Sequence, residues 1–123
     1  MSARKNRYGS ASQRRAIKWR RMWTQEARCV CGRDLNPELP PLHPDEPTID
    51  HVFAHSLKRF HGQNVTVVMH RRCNETKGQR PPNSHELEFA ARSLDRLALA
   101  PTTVEDCKRG VYAMLADRWA GAA

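Results

Sequence analysis

The sequence predicts a small α+β domain: a strand, loop, strand and helix unit stapled by zinc, flanked by a basic N-terminal helix and a C-terminal helical hairpin. Three observations predict it. Two short β-type runs separated by a polar loop lie between Thr48 and Met69. Apolar residues at helical spacing appear on both sides of them. Three cysteines and a histidine, Cys29, Cys31, His70 and Cys73, bracket the strands with soft-metal ligand chemistry. The 123 residues read as one domain, with 1–28 a basic arm and helix, 29–80 the zinc knuckle and central unit, and 81–123 the C-terminal helices. At 39% hydrophobic residues and mean hydropathy −0.76, such a chain buries only a modest core, and a metal staple compensates.

The elements follow in order. Residues 1–9 read as a basic arm, and from Ser10 or Ser12 as a cap the pattern turns helical, with Ile17, Trp19, Met22 and Trp23 apolar among basic residues. That helix is expected to dock by its tryptophans and leave its basic face outward. Residues 33–47 hold five of the eight prolines and must be irregular. Thr48 to Phe53 alternates as a short strand, and Val65 to Met69 is a second, β-branched one. His70 to Gly78 has helical character, with Gly78 as its stop. Beyond Pro81 and Pro82, Ser84 is expected to cap a helix carrying Leu87, Phe89, Ala90, Leu94, Leu97 and Ala98. Thr102 with Glu105 makes a capping-box pattern leading into Val111, Tyr112, Met114, Leu115 and Trp119. These two helices are expected to pair as a hairpin over the central unit, with Cys107 a buried structural thiol away from the others.

Charge is distributed unevenly. Of the formal +8, all sits in residues 1–28, where nine Lys or Arg face only Glu26. A second local excess, Lys58, Arg59, Arg71, Arg72, Lys77 and Arg80 against Glu75, surrounds the central unit. The expected partner is a polyanion, with Arg14, Arg15, Lys18, Arg20, Arg21, Lys58, Arg59, Arg71 and Arg72 as candidate nucleic-acid contacts. The N-terminus is basic and polar with no apolar signal region, and no stretch approaches the roughly 18 apolar residues of a membrane span. A cytoplasmic, reducing location is therefore expected, where clustered Cys and His read as zinc ligands rather than disulfides.

A second, harder ligand set lies inside the first. Asp50 supplies a carboxylate, Asn74 an amide oxygen and His51 an imidazole that titrates near working pH, so the group suits a divalent cation held for chemistry. Since Asp50 and His51 alternate across a strand, both can line one site only if the strand ends or twists there. His55 and His61 sit near this site in the sequence, and His43 and His85 belong to no motif.

Asp50-His51, Asn64 and His70-x-x-Cys73-Asn74-x-x-Lys77-Gly78 together resemble the HNH endonucleases of the ββα-metal (His-Me finger) nucleases, in the variant whose last lettered residue is Asn. The resemblance covers residues 29–80. It departs from the family in its Cys29-x-Cys31 pair, where Cys-x-x-Cys is usual, and in placing Asn64 one residue farther from Asn74. The resemblance implies a ββα-metal core in which Asp50 and Asn74 hold a Mg2+, Mn2+, Ni2+ or Zn2+ ion and His51 activates water. Asn64 then orients His51, Lys77 reaches the phosphate, and double-stranded DNA is cut to 5′-phosphate and 3′-hydroxyl ends. It also implies a role of the kind played by small phage nucleases, some of which work beside a terminase. The rival expectation is a non-catalytic, zinc-stapled nucleic-acid-binding module.

Overall fold

The computed structural model describes residues 10–52 and 65–122. Helix α1 spans Ala11–Thr24. Ser10 is its cap: Ser10 Oγ accepts from Gln13 N at 3.2 Å, and Gln13 Oε1 accepts from Ser10 N at 2.7 Å. Trp19 and Met22 on its inner side are buried, as the apolar pattern predicts. At its far end Gln25 does something no local pattern announces. Its side-chain amide donates to Val68 O and accepts from Val68 N, both at 2.8 Å. The amide thereby completes the outer edge of a strand, where an unpaired ladder would otherwise be left buried.

That strand belongs to a two-stranded antiparallel sheet of β1 (Pro47–His51) and β2 (Thr66–His70), in register from Pro47 opposite His70 to His51 opposite Thr66. A two-stranded sheet is marginal by itself. Here all five residues of β2 are buried, because α1 packs on it and helix α2 (Arg71–Lys77) follows directly. Gly78, at φ 55°, stops α2 as expected. The strands lie about a residue from their expected bounds, and Phe53 falls outside the described residues. The Pro-rich loop is tied down at its end: Glu46 O and Pro44 O accept from Arg71 N and Arg72 N at 2.9 and 2.8 Å, satisfying the first amides of α2.

The C-terminal part holds α3 (Ser84–Asp95), a 3-10 turn (Arg96–Leu99) and α4 (Val104–Ala122). Both caps sit one residue from the expected position. Asn83, not Ser84, forms the capping box with Glu86, and Thr103, not Thr102, accepts from Asp106 N at 3.1 Å. The expected hairpin is also corrected: α4 packs along α1, α3 packs on α1 and β2, and the shared partner of both is α1. Close approach explains the choice, since a Cβ on Gly110 would fall 2.7 Å from Trp23 Nε1. Met22, Leu35, Val68, Val111 and Leu115 form the centre of the core with Cys107 beside them, while Leu87 and Leu94 stay exposed. Among the described residues, no helix is long and apolar enough to cross a membrane.

Candidate functional site

The cluster of Cys29, Cys31, His70 and Cys73 is brought together by two turns. Cys29 and Cys31 flank a tight reversal in which Cys29 O accepts from Gly32 N at 2.9 Å and Cys29 N donates to Arg33 O at 2.9 Å. Gly32 lies at φ +93°, a conformation open to glycine, and so lets the short Cys-x-Cys pair face one point. His70 ends β2, and Cys73 follows one turn into α2. The four ligand atoms all lie within 4.8 Å of one another. Cys31 Sγ and Cys73 Sγ stand 3.4 and 3.7 Å from His70 Nδ1. Ligands at zinc bond lengths of about 2.0 and 2.3 Å in tetrahedral array are about 3.5 Å apart, so the cluster fits a structural metal such as zinc.

The surroundings support the same fit. Asp34 O lies 2.8 Å from His70 Nε2, which makes Nε2 the donor and turns the Nδ1 lone pair toward the thiols. Cys29 Sγ accepts from His70 N at 3.4 Å. Burial pushes the Cys29 and Cys73 thiols up. Burial acts the same way on Cys31, but bonds from Arg33 and Cys29 outweigh it and bring that thiol down to about 7. For His70, burial works against the charged ring, yet the Asp34 carbonyl and the neighbouring Cys73 and Cys31 leave its pKa raised. No motif in the sequence marks Asp34, and its influence reaches further still. Its carboxylate accepts from Arg118 at 2.6 Å and Trp119 Nε1 at 2.8 Å, joining the knuckle to the end of α4.

The harder set is organised by the pairing of α2 with β1. Asn74 and Lys77, three residues apart on one face of α2, both bond to the strand. Asn74 Nδ2 donates to Thr48 Oγ1 at 3.1 Å and Ile49 O at 3.2 Å, and Thr48 Oγ1 in turn donates to Met69 O at 3.1 Å. Two acceptors on the amide nitrogen fix the amide orientation and leave Oδ1 as the group able to take a cation. Lys77 Nζ stands 3.4 Å from Asp50 Oδ2 and donates to His51 O at 3.3 Å. Lys77 is only 3% exposed, which corrects the expectation that it reaches a phosphate: its ammonium is spent on β1. Burial raises the Asp50 carboxyl to about 6, with Lys77 pulling the other way. Asp50 Oδ2 lacks an aligned hydrogen bond, but the ion pair at 3.4 Å gives it a charged neighbour, so it is a desolvated carboxylate held by one cation. His51 is 4% exposed; β1 ends at it and the chain bends at Val52.

The basic residues divide. Arg14, Arg15 and Lys18 line one cleft beside β1. Arg20 donates to Thr102 O at 3.3 Å in a solvent-exposed bond, whereas Arg21 is half-buried with Nη1 enclosed and so departs from the outward basic face expected of it. Arg71 is engaged by Glu46, and Arg72 by Asp45 at 2.7 Å, so these two of the expected nucleic-acid cations already have carboxylate partners. Asn64, Lys58, Arg59, His55 and His61 lie outside the described residues. His43 accepts locally from Asp45 N, and His85 Nε2 reaches Val30 O, between Cys29 and Cys31, at 2.9 Å. Comparison with protein-family models, curated proteins and solved structures gives no match.

Proposed function

We propose that the chain is a metal-dependent DNA endonuclease of the HNH type, with a zinc-stapled ββα core. The single observation that carries the reading is that Asn74 and Lys77 both anchor to the short strand segment that ends in Asp50 and His51. In this reading the Asp50 carboxylate and Asn74 Oδ1 hold the divalent cation, Mg2+ or Mn2+. When bound, that cation supplies charge stabilisation for the phosphoryl oxygens and the departing 3′ oxygen. Lys77 is a positioning residue that keeps the Asp50 carboxylate aimed. The His51 imidazole removes a proton from the attacking water, giving 5′-phosphate and 3′-hydroxyl ends. One carboxylate and one amide bind such a cation weakly, so substrate phosphate is expected to complete the site. Support for a polyanionic substrate comes from the +8 charge.

A second reading, a non-catalytic nucleic-acid module on the same zinc staple, is favoured by two facts: His51 is buried, and Asp50 already has Lys77 as counter-ion. Nicking of supercoiled plasmid with Mg2+ or Mn2+ separates the two. The endonuclease reading expects wild type to nick and His51→Ala to fall at least a hundredfold. Equal rates refute His51 as the base, and no nicking by wild type with either metal leaves the binding module.

A further inference from the structure

A cleft of about 470 Å3 runs between α1 and β1. Arg14, Arg15 and Lys18 stand on its helix side, and Pro47, Thr48 and Ile49 on its strand side, with Trp19 closing the helix wall. The volume is within the ordinary range of ligand sites. Two of its cations are weakly balanced by the protein. Lys18 is half-buried and has no carboxylate within 4 Å among the described residues; the acid whose charge reaches it, Glu46, is engaged by Arg71. Arg15 meets Glu105 at 3.2 Å, but both ends are solvent-exposed, and such a pair contributes little. Cations gathered on one wall, with Lys18 and Arg15 only weakly countered, suit a ligand that supplies the negative charge.

The position of the cleft indicates which ligand. Its strand wall, Pro47 to Ile49, continues without interruption into Asp50 and His51. At about 3.3 Å per strand residue, Ile49 and Thr48 lie roughly 7 and 10 Å from His51. A DNA strand advances about 3.4 Å per nucleotide along the helix axis and farther along its own winding backbone, so these distances correspond to roughly one to two nucleotides. Resting on the endonuclease reading, we propose that this cleft seats the phosphodiester backbone one to two nucleotides from the cleaved phosphate. Arg15 and Lys18 meet phosphate oxygens, and sugars lie against Pro47 and Ile49. Such interactions add affinity and set register without specifying bases.

The test uses the full, zinc-loaded chain and a 20-base-pair duplex, with the catalytic metal withheld. The slope of log affinity against log salt is compared for wild type, Lys18→Gln, Arg15→Gln/Lys18→Gln and the charge-keeping Lys18→Arg. The slope is expected to fall by about 0.9 for each phosphate that is no longer neutralised, hence by nearly 2 in the double variant, and to be kept in Lys18→Arg. Uncharged methylphosphonates one and two nucleotides from the mapped nick are expected to weaken wild type and to add no further loss in the double variant. Circular dichroism confirms that each variant is folded. An unchanged slope in folded variants, with wild-type nicking intact, overturns the cleft and leaves the endonuclease. Absence of wild-type nicking overturns the endonuclease reading and the placement of the cleft with it.

Discussion

Removing the metal from the Cys29, Cys31, His70 and Cys73 cluster should unfold this protein, and Cys73→Ser is the cleanest way to ask. Serine is nearly isosteric with cysteine, and Cys73 is only partly buried, so poorer packing should cost about 1 kcal/mol or less. The loss of a thiolate ligand is far larger. Structural zinc contributes roughly 10–16 kcal/mol of apparent binding free energy, whereas a whole domain is stable by about 5–15 kcal/mol. With about 2.1 cal/mol/K of unfolding entropy per residue, 123 residues shift their melting temperature by about 4 °C per kcal/mol. Poorer packing alone therefore predicts a drop of about 4 °C, and loss of the metal predicts no cooperative melt at all. Thermal melts followed by circular dichroism, with zinc content measured on the same samples, distinguish the two. Wild type should carry one zinc and lose its transition on chelation. Cys107→Ser, a buried thiol outside the cluster, should keep both its zinc and its sensitivity to chelator. If Cys73→Ser melted cooperatively within about 5 °C of zinc-loaded wild type, the staple would be refuted.

Three further outcomes follow from the geometry. Gln25→Leu leaves Val68 N and O unpaired at a buried edge and should destabilise by about 2–5 kcal/mol, seen in urea denaturation; a change under about 1 kcal/mol would mean water or another group replaces the amide. Gly110→Ala drives a methyl against Trp23 and should lower stability by about 1–3 kcal/mol with a changed tryptophan emission, whereas an unaltered melt would show that α1 and α4 separate easily. Because Asp50 is raised to about 6, the free carboxyl takes up a proton below that pH, and a cation must displace it. Mn2+ affinity measured by titration should thus be flat above about pH 6 and fall about tenfold per unit below it; a midpoint near the ordinary carboxyl value of about 4 would refute the burial argument.

What was legible in the sequence was the local part. The Ser10 box, the Gly78 stop, the prolines of the 33–47 loop and the two β-branched runs each act through neighbours a few residues away, and their elements formed close to where they were expected. The four residues of the metal-fitting cluster were legible because cysteines and a histidine at such spacing have few other uses. Pairings between distant segments were not. Gln25 looks like any polar residue at a helix end, although its partner is 43 residues away. Asp34 serves the site through its backbone carbonyl, which every residue possesses, so no side-chain pattern could mark it. A lone Lys on a short helix is usually solvated, and only the register that puts α2 over β1 makes Lys77 the counter-ion of Asp50. The helical hairpin failed for a related reason: spacing identified the apolar faces of both C-terminal helices, but the partner was decided by the gap that Gly110 leaves for Trp23.

The central claim is that the Asp50 carboxylate and the Asn74 amide oxygen share one hard cation within reach of His51. Anomalous scattering from crystals of His51→Ala grown with Mn2+ and duplex DNA tests it directly. A manganese peak is predicted between Asp50 and Asn74 with a phosphate oxygen on its open side, distinct from a zinc peak at the four-ligand cluster. Density for bound DNA with no manganese at that position would contradict it.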